Sequence, residues 1–190
     1  MPWDRFVLGY HGCEHSVVQD VVGGRKRIRV SKNEYDWLGH GTYFWEDSYA
    51  RALQWAKDDD RIRTPAVLGA VINLGECLNL LDVEYLHLVR GAYEHFKQAC
   101  AAAGSAMPVN SGPELKSRKL DCAVIENLHQ IHEDRKLTPF DTVRGFFVEG
   151  KPIYPGAGLR HQDHIQLCVR NESNIIGYFL PRNENHKRIP

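Results

Sequence analysis

The sequence predicts one α+β domain spanning residues 1–190, and three observations carry that reading. Short apolar runs stand towards both ends of the chain, apolar residues at helical 3–4 spacing lie between them, and Gly, Pro and Asn signals break the last runs apart. With 43% hydrophobic and 25% charged residues over 190 positions, the chain can bury a real core, which excludes disorder, collagen and coiled coil.

The elements follow in order. Phe6 to Tyr10 reads as a strand ending in His11-Gly12, and Glu14 to Val22 places Val17, Val18, Val21 and Val22 on one helix face before Gly23-Gly24, so the start reads as strand, turn, helix. Asp47 or Ser48 can cap a helix whose Ala52, Leu53, Trp55 and Ala56 form its apolar stripe. Ala66 to Leu74 reads as a buried strand. Asp82 caps the longest helix, which keeps its period through Tyr85, Leu86, Val89, Tyr93, Phe96 and Cys100 until Gly104. A further helix covers Asp121 to His132, and Thr142 to Val148, Ile165 to Val169 and Ile175 to Leu180 read as three short strands. Gly104 to Lys119 and Lys151 to Asp163 read as loops, and no internal repeat is present.

Composition narrows the function classes. The 24 Lys and Arg balance 24 Asp and Glu, so a nucleic acid or membrane surface would have to be held by a local patch rather than by net charge. Five cysteines without a C-x-x-C pair suggest reduced thiols rather than a disulfide framework or a zinc ribbon. The start at Met1-Pro2-Trp3-Asp4-Arg5 lacks a signal-peptide core and no run could span a bilayer, so a cytoplasmic protein with no membrane partner is expected. His129-x-x-His132 and His161-x-x-His164 have metal-compatible spacing but no completing ligand set, and no metal is expected.

Three separated motifs carry the chemistry. Gly9-Tyr10-His11-Gly12 closes the first strand with a residue that lets a ligand approach the backbone and one that presents a ring nitrogen. Asp36 to Glu46 sets Gly39 and Gly41 among closely spaced aromatics, a combination suited to a flat ligand. In Asp163 to Val169, alternation puts His164, Gln166 and Cys168 on one face and Ile165, Leu167 and Val169 on the other, and such a polar face on a buried strand needs a partner. Each motif alone also fits an ordinary role, a buried histidine or a core aromatic cluster. Arg25-Lys26-Arg27-x-Arg29 could contact phosphate or simply form a solvated face.

Taken together and in this order, His11-Gly12, Gly39-x-Gly41-x-Tyr43-Phe44 and the run Gln166-Leu-Cys-Val-Arg-Asn-x-x-Asn174-Ile175-x-Gly177-Tyr-Phe resemble the ADP-ribosyltransferase superfamily, in its poly(ADP-ribose) polymerase-like branch. Ser31 to Glu46 further resembles bacterial ADP-ribosyltransferase-like proteins of toxin and phage-defence loci. The resemblance implies a split β-sheet sandwich with flanking helices, NAD as substrate in the split between two small sheets, and no metal. It implies that His11 bonds an NAD ribose, that the Gly12 backbone holds the nicotinamide carboxamide, and that Tyr43 stacks on the ring with Gly41 beside it. Tyr49, ahead of Trp55, would close the sandwich. Ser31 and Asn33 are either ligand contacts or turn formers, and Asp36 can cap that turn.

Gln166 stands where the resemblance places a glutamate, so the oxocarbenium-like ribose lacks its usual charge partner. Three readings follow: transfer without the carboxylate, transfer with one borrowed from Asp163, Glu149 or Glu172, or NAD binding without chemistry. The expected activity is mono-ADP-ribosyl transfer to a macromolecule, RNA or DNA ahead of protein, by a toxin or defence effector that could pair with an antitoxin. An NAD glycohydrolase, a silent NAD or ADP-ribose binding module and an RNA-binding regulator are the competitors.

Overall fold

The computed structural model describes residues 5–182, so the N-terminal Met1–Asp4 on which the leader reading rests lies outside the described residues. Seven strands form one hydrogen-bonded sheet in the order β4-β5-β6-β2-β1-β3-β7, with four α-helices packed on its faces. The strands are β1 (Phe6–Glu14), β2 (Thr42–Glu46), β3 (Pro65–Asn73), β4 (Cys77–Asn79), β5 (Thr142–Phe147), β6 (His164–Val169) and β7 (Ile175–Phe179). The helices are α1 (His15–Val22), α2 (Tyr49–Asp58), α3 (Val83–Ala102) and α4 (Lys119–Asp134). All pairings are antiparallel except β4 with β5, so the sheet is mixed.

The expectation of two separate small sheets is corrected. One sheet is continuous, but its continuity rests on a narrow join: β1 pairs β3 over nine positions, from Phe6↔Asn73 to Glu14↔Pro65, whereas its register with β2 holds only Gly9↔Glu46 and Tyr10↔Trp45. The turn expected after Gly12 is also absent. β1 runs straight through His11-Gly12 into α1, because Glu14 turns its carboxylate onto the His15 N–H as an N-cap and also accepts from Arg63 and Thr64. Strands β2 and β4 were not foreseen; both are too short to show a period, and long-range pairing to β6 and β5 defines them.

Alternation along β2 and β6 sorts the core onto the two faces. Phe44, Leu167 and Val169 join Leu68, Ala70 and Ile72 under Val18 and Val21 of α1. On the opposite face, Cys168, Val143 and Leu38 pack beneath Ala92 of α3 and Val124, Ile125 and Leu128 of α4, with Tyr43 and Trp37 against them. Trp45, Val67 and Ala52 of α2 form a smaller cluster there with Tyr10, Tyr49 and Leu53. Asp82 caps α3 by accepting from the Glu84 N–H, and Ser48 sits at the N-cap of α2 without a side-chain bond.

Candidate functional site

The site starts at the place where β1 and β2 part. The backbone groups along β1 alternate between its two neighbours: the Leu8 carbonyl accepts from Asp47 N–H at 2.9 Å on the β2 side, and just past the strand the N–H of His15, the first residue of α1, donates to the Thr64 carbonyl at 2.9 Å on the β3 side. Gly12 therefore aims its N–H and C=O towards β2, yet it lies beyond Tyr10↔Trp45, the last pair between the two strands. Had the register continued, Gly12 would oppose Tyr43. Instead the Tyr43 carbonyl accepts a 2.8 Å hydrogen bond from the His11 ring, which acts as a wedge between the strands. Because a backbone carbonyl only accepts, His11 Nδ1 carries the proton and Nε2 offers a lone pair. Burial lowers the His11 pKa by more than the Tyr43 carbonyl raises it, so the ring is neutral near pH 7.

Gly12 is required here by packing. A Cβ at this position would collide with the Ala52 carbonyl and press on Ala56 Cβ, so the bare backbone is what allows α2 to close over β1.

Tyr43, Trp45, Gln166 and His164 share the face covered by α2, α3 and α4, with Trp45 directly opposite Gln166 and Tyr43 opposite Cys168. The Tyr43 ring is fixed at its far end: its hydroxyl donates to the Gly39 carbonyl at 2.7 Å and accepts from Leu38 N–H at 3.0 Å. Gly39 takes φ of +80°, and Gly41 lies so close to β6 that a Cβ would meet Cys168 Sγ. The loop itself is held by α4 and by the end of β6. His40 N–H donates to Glu126 at 2.8 Å, Arg170 donates to the His40 carbonyl at 3.0 Å, and Arg170 pairs with Glu126. Burial alone would raise the Glu126 carboxyl, but Arg170 and the His40 amide outweigh it and hold the group below its usual range.

Gln166 is half-buried, and its Oε1 accepts a 2.5 Å hydrogen bond from Trp37 Nε1. This contact orients the side-chain amide with its nitrogen as the remaining donor. Trp37 leans on Phe147 at 5.2 Å between centroids, Gly145 leaves room for its ring, and the Arg118 guanidinium lies over both Trp37 and Phe147. On the other face, Arg144 clamps Glu46 with two bonds of 2.6 and 2.7 Å across β6, tying β2 to β5 behind the site.

The other expected residues are placed as follows. Ser31 and Gly41 exchange two backbone hydrogen bonds, Asn33 donates to Ser31 Oγ at 2.9 Å, and Asp36 closes the turn by accepting from Asn33 N–H at 2.7 Å. Tyr49 meets Tyr10 edge-on at 6.0 Å and belongs to the Trp45 cluster rather than to the Tyr43 one. Trp55 lies against Trp45 at 5.6 Å. Asp163 uses its carboxylate to accept from the N–H groups of Glu149 and Arg160, at 3.0 and 2.8 Å, and so closes the loop before β6. Glu149 is bound by Arg51 at 2.5 Å and Lys116 at 3.0 Å. Glu172 lies beyond β6 and pairs with Arg27, while Arg25 and Lys26 pair with Asp20.

Trp37, Arg51, Glu126, His164 and Arg170 are thus parts of the site's framework that the motif reading did not single out as site residues. The polar-face alternation places His164 beside Gln166, Trp37 stands among the aromatics of the Asp36 to Glu46 motif and Arg170 in the run that follows Gln166, whereas no local signal marks Arg51 or Glu126. Among the described residues no three His, Cys, Asp or Glu side chains are placed to hold a metal ion, and no helix is long and apolar enough to cross a membrane. No protein-family model matches this chain, and neither a curated protein nor a solved structure matches it.

Proposed function

We propose that this chain is a mono-ADP-ribosyltransferase, which binds NAD where β1 and β2 part, releases nicotinamide and passes one ADP-ribose unit to a macromolecule. The observation that carries the reading is the Gly12 backbone, aimed into the gap that His11 holds open by taking the Tyr43 carbonyl. A planar carboxamide has one acceptor and one donor edge, which the N–H and C=O of one glycine beyond the last β1–β2 pair can satisfy. His11 Nε2 supplies a lone pair for a ribose hydroxyl, and the pinned Tyr43 and the oriented Gln166 amide stand on the covered face beyond the gap.

Gln166 brings hydrogen bonding without charge, which favours single transfer over chain elongation. In the resemblance the acceptor is nucleic acid ahead of protein and the setting is a toxin or phage-defence effector with an antitoxin partner in the cytoplasm. The engagement of Gln166 Oε1 by Trp37 favours a second reading, an NAD-binding module without turnover, because the amide is already partly committed.

The deciding experiment incubates the purified chain with adenylate-labelled NAD and a bacterial lysate, then digests the labelled fraction with nuclease or protease. Label released only by nuclease supports nucleic-acid transfer, and label released only by protease supports protein transfer. Nicotinamide release without label marks a glycohydrolase, and a thermal shift with NAD but no release marks the binding module.

A further inference from the structure

Buried polar atoms nearly always find a partner, so a concentration of unpartnered ones points to a group that must come from outside the chain. Four such atoms sit on three touching side chains: Trp45 Nε1, Arg51 Nε and Nη1, and His164 Nε2. The Arg51 guanidinium carbon is 5.6 Å from the Trp45 ring centre, and the Trp45 and His164 rings are 6.1 Å apart. All three are at least nine-tenths buried, with exposures of 5% for Trp45, 6% for His164 and 10% for the Arg51 side chain.

We propose that His164 Nε2 accepts the proton of a hydroxyl nucleophile during NAD cleavage. This rests on the reading of the preceding subsection. His164 Nδ1 lies 2.6 Å from the Gln162 carbonyl, which can only accept, so Nδ1 holds the proton and the Nε2 lone pair is the unpartnered one. A histidine oriented through one nitrogen with the other free is the form a general base takes. His164 and Gln166 point to the same face of β6 two residues apart, roughly 7 Å along the strand, so one reacting hydroxyl can bridge the base and a ribose held at Gln166.

The carboxylates that could serve instead are engaged. Asp163 caps two backbone N–H groups, Glu149 is bound by Arg51 and Lys116, and Glu172 pairs with Arg27 beyond the strand. The charged groups around His164 are Arg51 from α2, Glu149 from the loop after β5 and Asp163 at its own strand's start, while Trp45 and Phe147 wall it with rings. Burial is the main cause that lowers its pKa and Arg51 adds to it, against the Gln162 carbonyl and the two carboxylates.

In the step, the nucleophile's oxygen bonds to the anomeric carbon of the nicotinamide ribose. The carbon–nitrogen bond breaks with its electron pair passing to nicotinamide, which leaves neutral, and the hydroxyl proton passes to His164 Nε2, to be lost to solvent afterwards. The free N–H groups of Arg51 and Trp45 can hold the incoming oxygen. The nucleophile is a hydroxyl, from water or from an RNA or protein group.

The test measures nicotinamide release by wild type and His164→Gln from about pH 5 to pH 9, with NAD binding followed by thermal shift and folding by circular dichroism. In wild type the rate falls on the acid side with an apparent pKa below 6.5. The variant loses that limb and roughly 10²-fold or more in rate while its NAD shift persists. Release by the protein alone identifies water as the nucleophile, and release that requires added RNA or lysate protein identifies a macromolecular hydroxyl. A folded variant that keeps the wild-type rate and limb overturns the role of His164 and leaves NAD cleavage standing. Wild type that shifts with NAD and releases nothing in any arm overturns the cleavage reading and this step with it. Should the variant not fold, imidazole titration by nitrogen NMR on wild type decides: the kinetic limb must follow His164, and a limb that follows no histidine overturns the proposal.

Discussion

His11 donates a 2.8 Å hydrogen bond from its ring to the backbone carbonyl of Tyr43, thirty-two positions on, at the point where a regular sheet would have paired Tyr43 with Gly12. One side chain thereby ends the pairing of β1 with β2, leaving the buried Gly12 backbone directed at the edge where Tyr43 would have paired, while the Tyr43 ring is fixed through its hydroxyl. His11→Ala is expected to cost about 1–3 kcal/mol, since it leaves the part-buried carbonyl without its donor. The same variant should lose its thermal shift with NAD. Urea melts and a ligand titration check the two effects separately.

Gly12→Ala introduces a methyl group against the backbone of α2, where no flexible side chain can yield. The expected cost is about 1–3 kcal/mol by overpacking, accompanied by loss of the NAD response as α2 is pushed from β1. A stability curve that superposes on wild type would show that α2 does not close on Gly12.

Trp37→Phe keeps most of the ring contact with Phe147 and Arg118 but removes the donor to Gln166. The expected loss is about 1 kcal/mol of stability, and nicotinamide release should fall more than NAD binding, because the Gln166 amide is freed to rotate. Steady-state kinetics separate the two: a change confined to KM would argue against an orienting role.

Tyr43→Phe removes the two hydrogen bonds that tie the ring to Leu38 and Gly39, at a cost of about 1–3 kcal/mol. Tyr43→Ala should abolish the NAD response in a chain that still folds; unchanged NAD affinity in that variant would remove Tyr43 from the pocket.

Glu126 gives the loop a pH dependence of definite sign. Its folded pKa lies below the ordinary 4.5, so its contribution is complete above that value and is lost as pH falls through the lowered folded value. Acid titration of stability should therefore show a component near and below pH 4.5 that Glu126→Gln removes. An acid limb unchanged by the substitution would place the titrating group elsewhere.

Much of the fold was legible in the sequence because it is written in neighbouring residues. Asp82 caps α3 as its position suggests, the 3–4 spacing of Tyr85, Val89, Tyr93 and Phe96 marks the face packed on the core, and alternation divides His164, Gln166 and Cys168 from Leu167 and Val169. Strands β2 and β4 were not legible, since three or five residues carry no usable period and only pairing to distant strands makes them extended. The turn expected after Gly12 failed for a related reason: Glu14 finds its partners at Arg63 and Thr64, about fifty positions away.

For the site, the sequence by itself determined which chemical groups were available: a histidine and glycine at a strand, a tyrosine after paired glycines, and a glutamine in place of a carboxylate. Tertiary structure alone decided how they are used. It split β1 from β2, set Trp37 on Gln166 across 129 positions, committed Glu149 to Arg51 across 98, and left the His164 lone pair enclosed without a partner. The physical reason is that caps and alternation act over a few residues of backbone, whereas a hydrogen bond's occupancy and a group's burial depend on which distant segments the closed chain brings beside it.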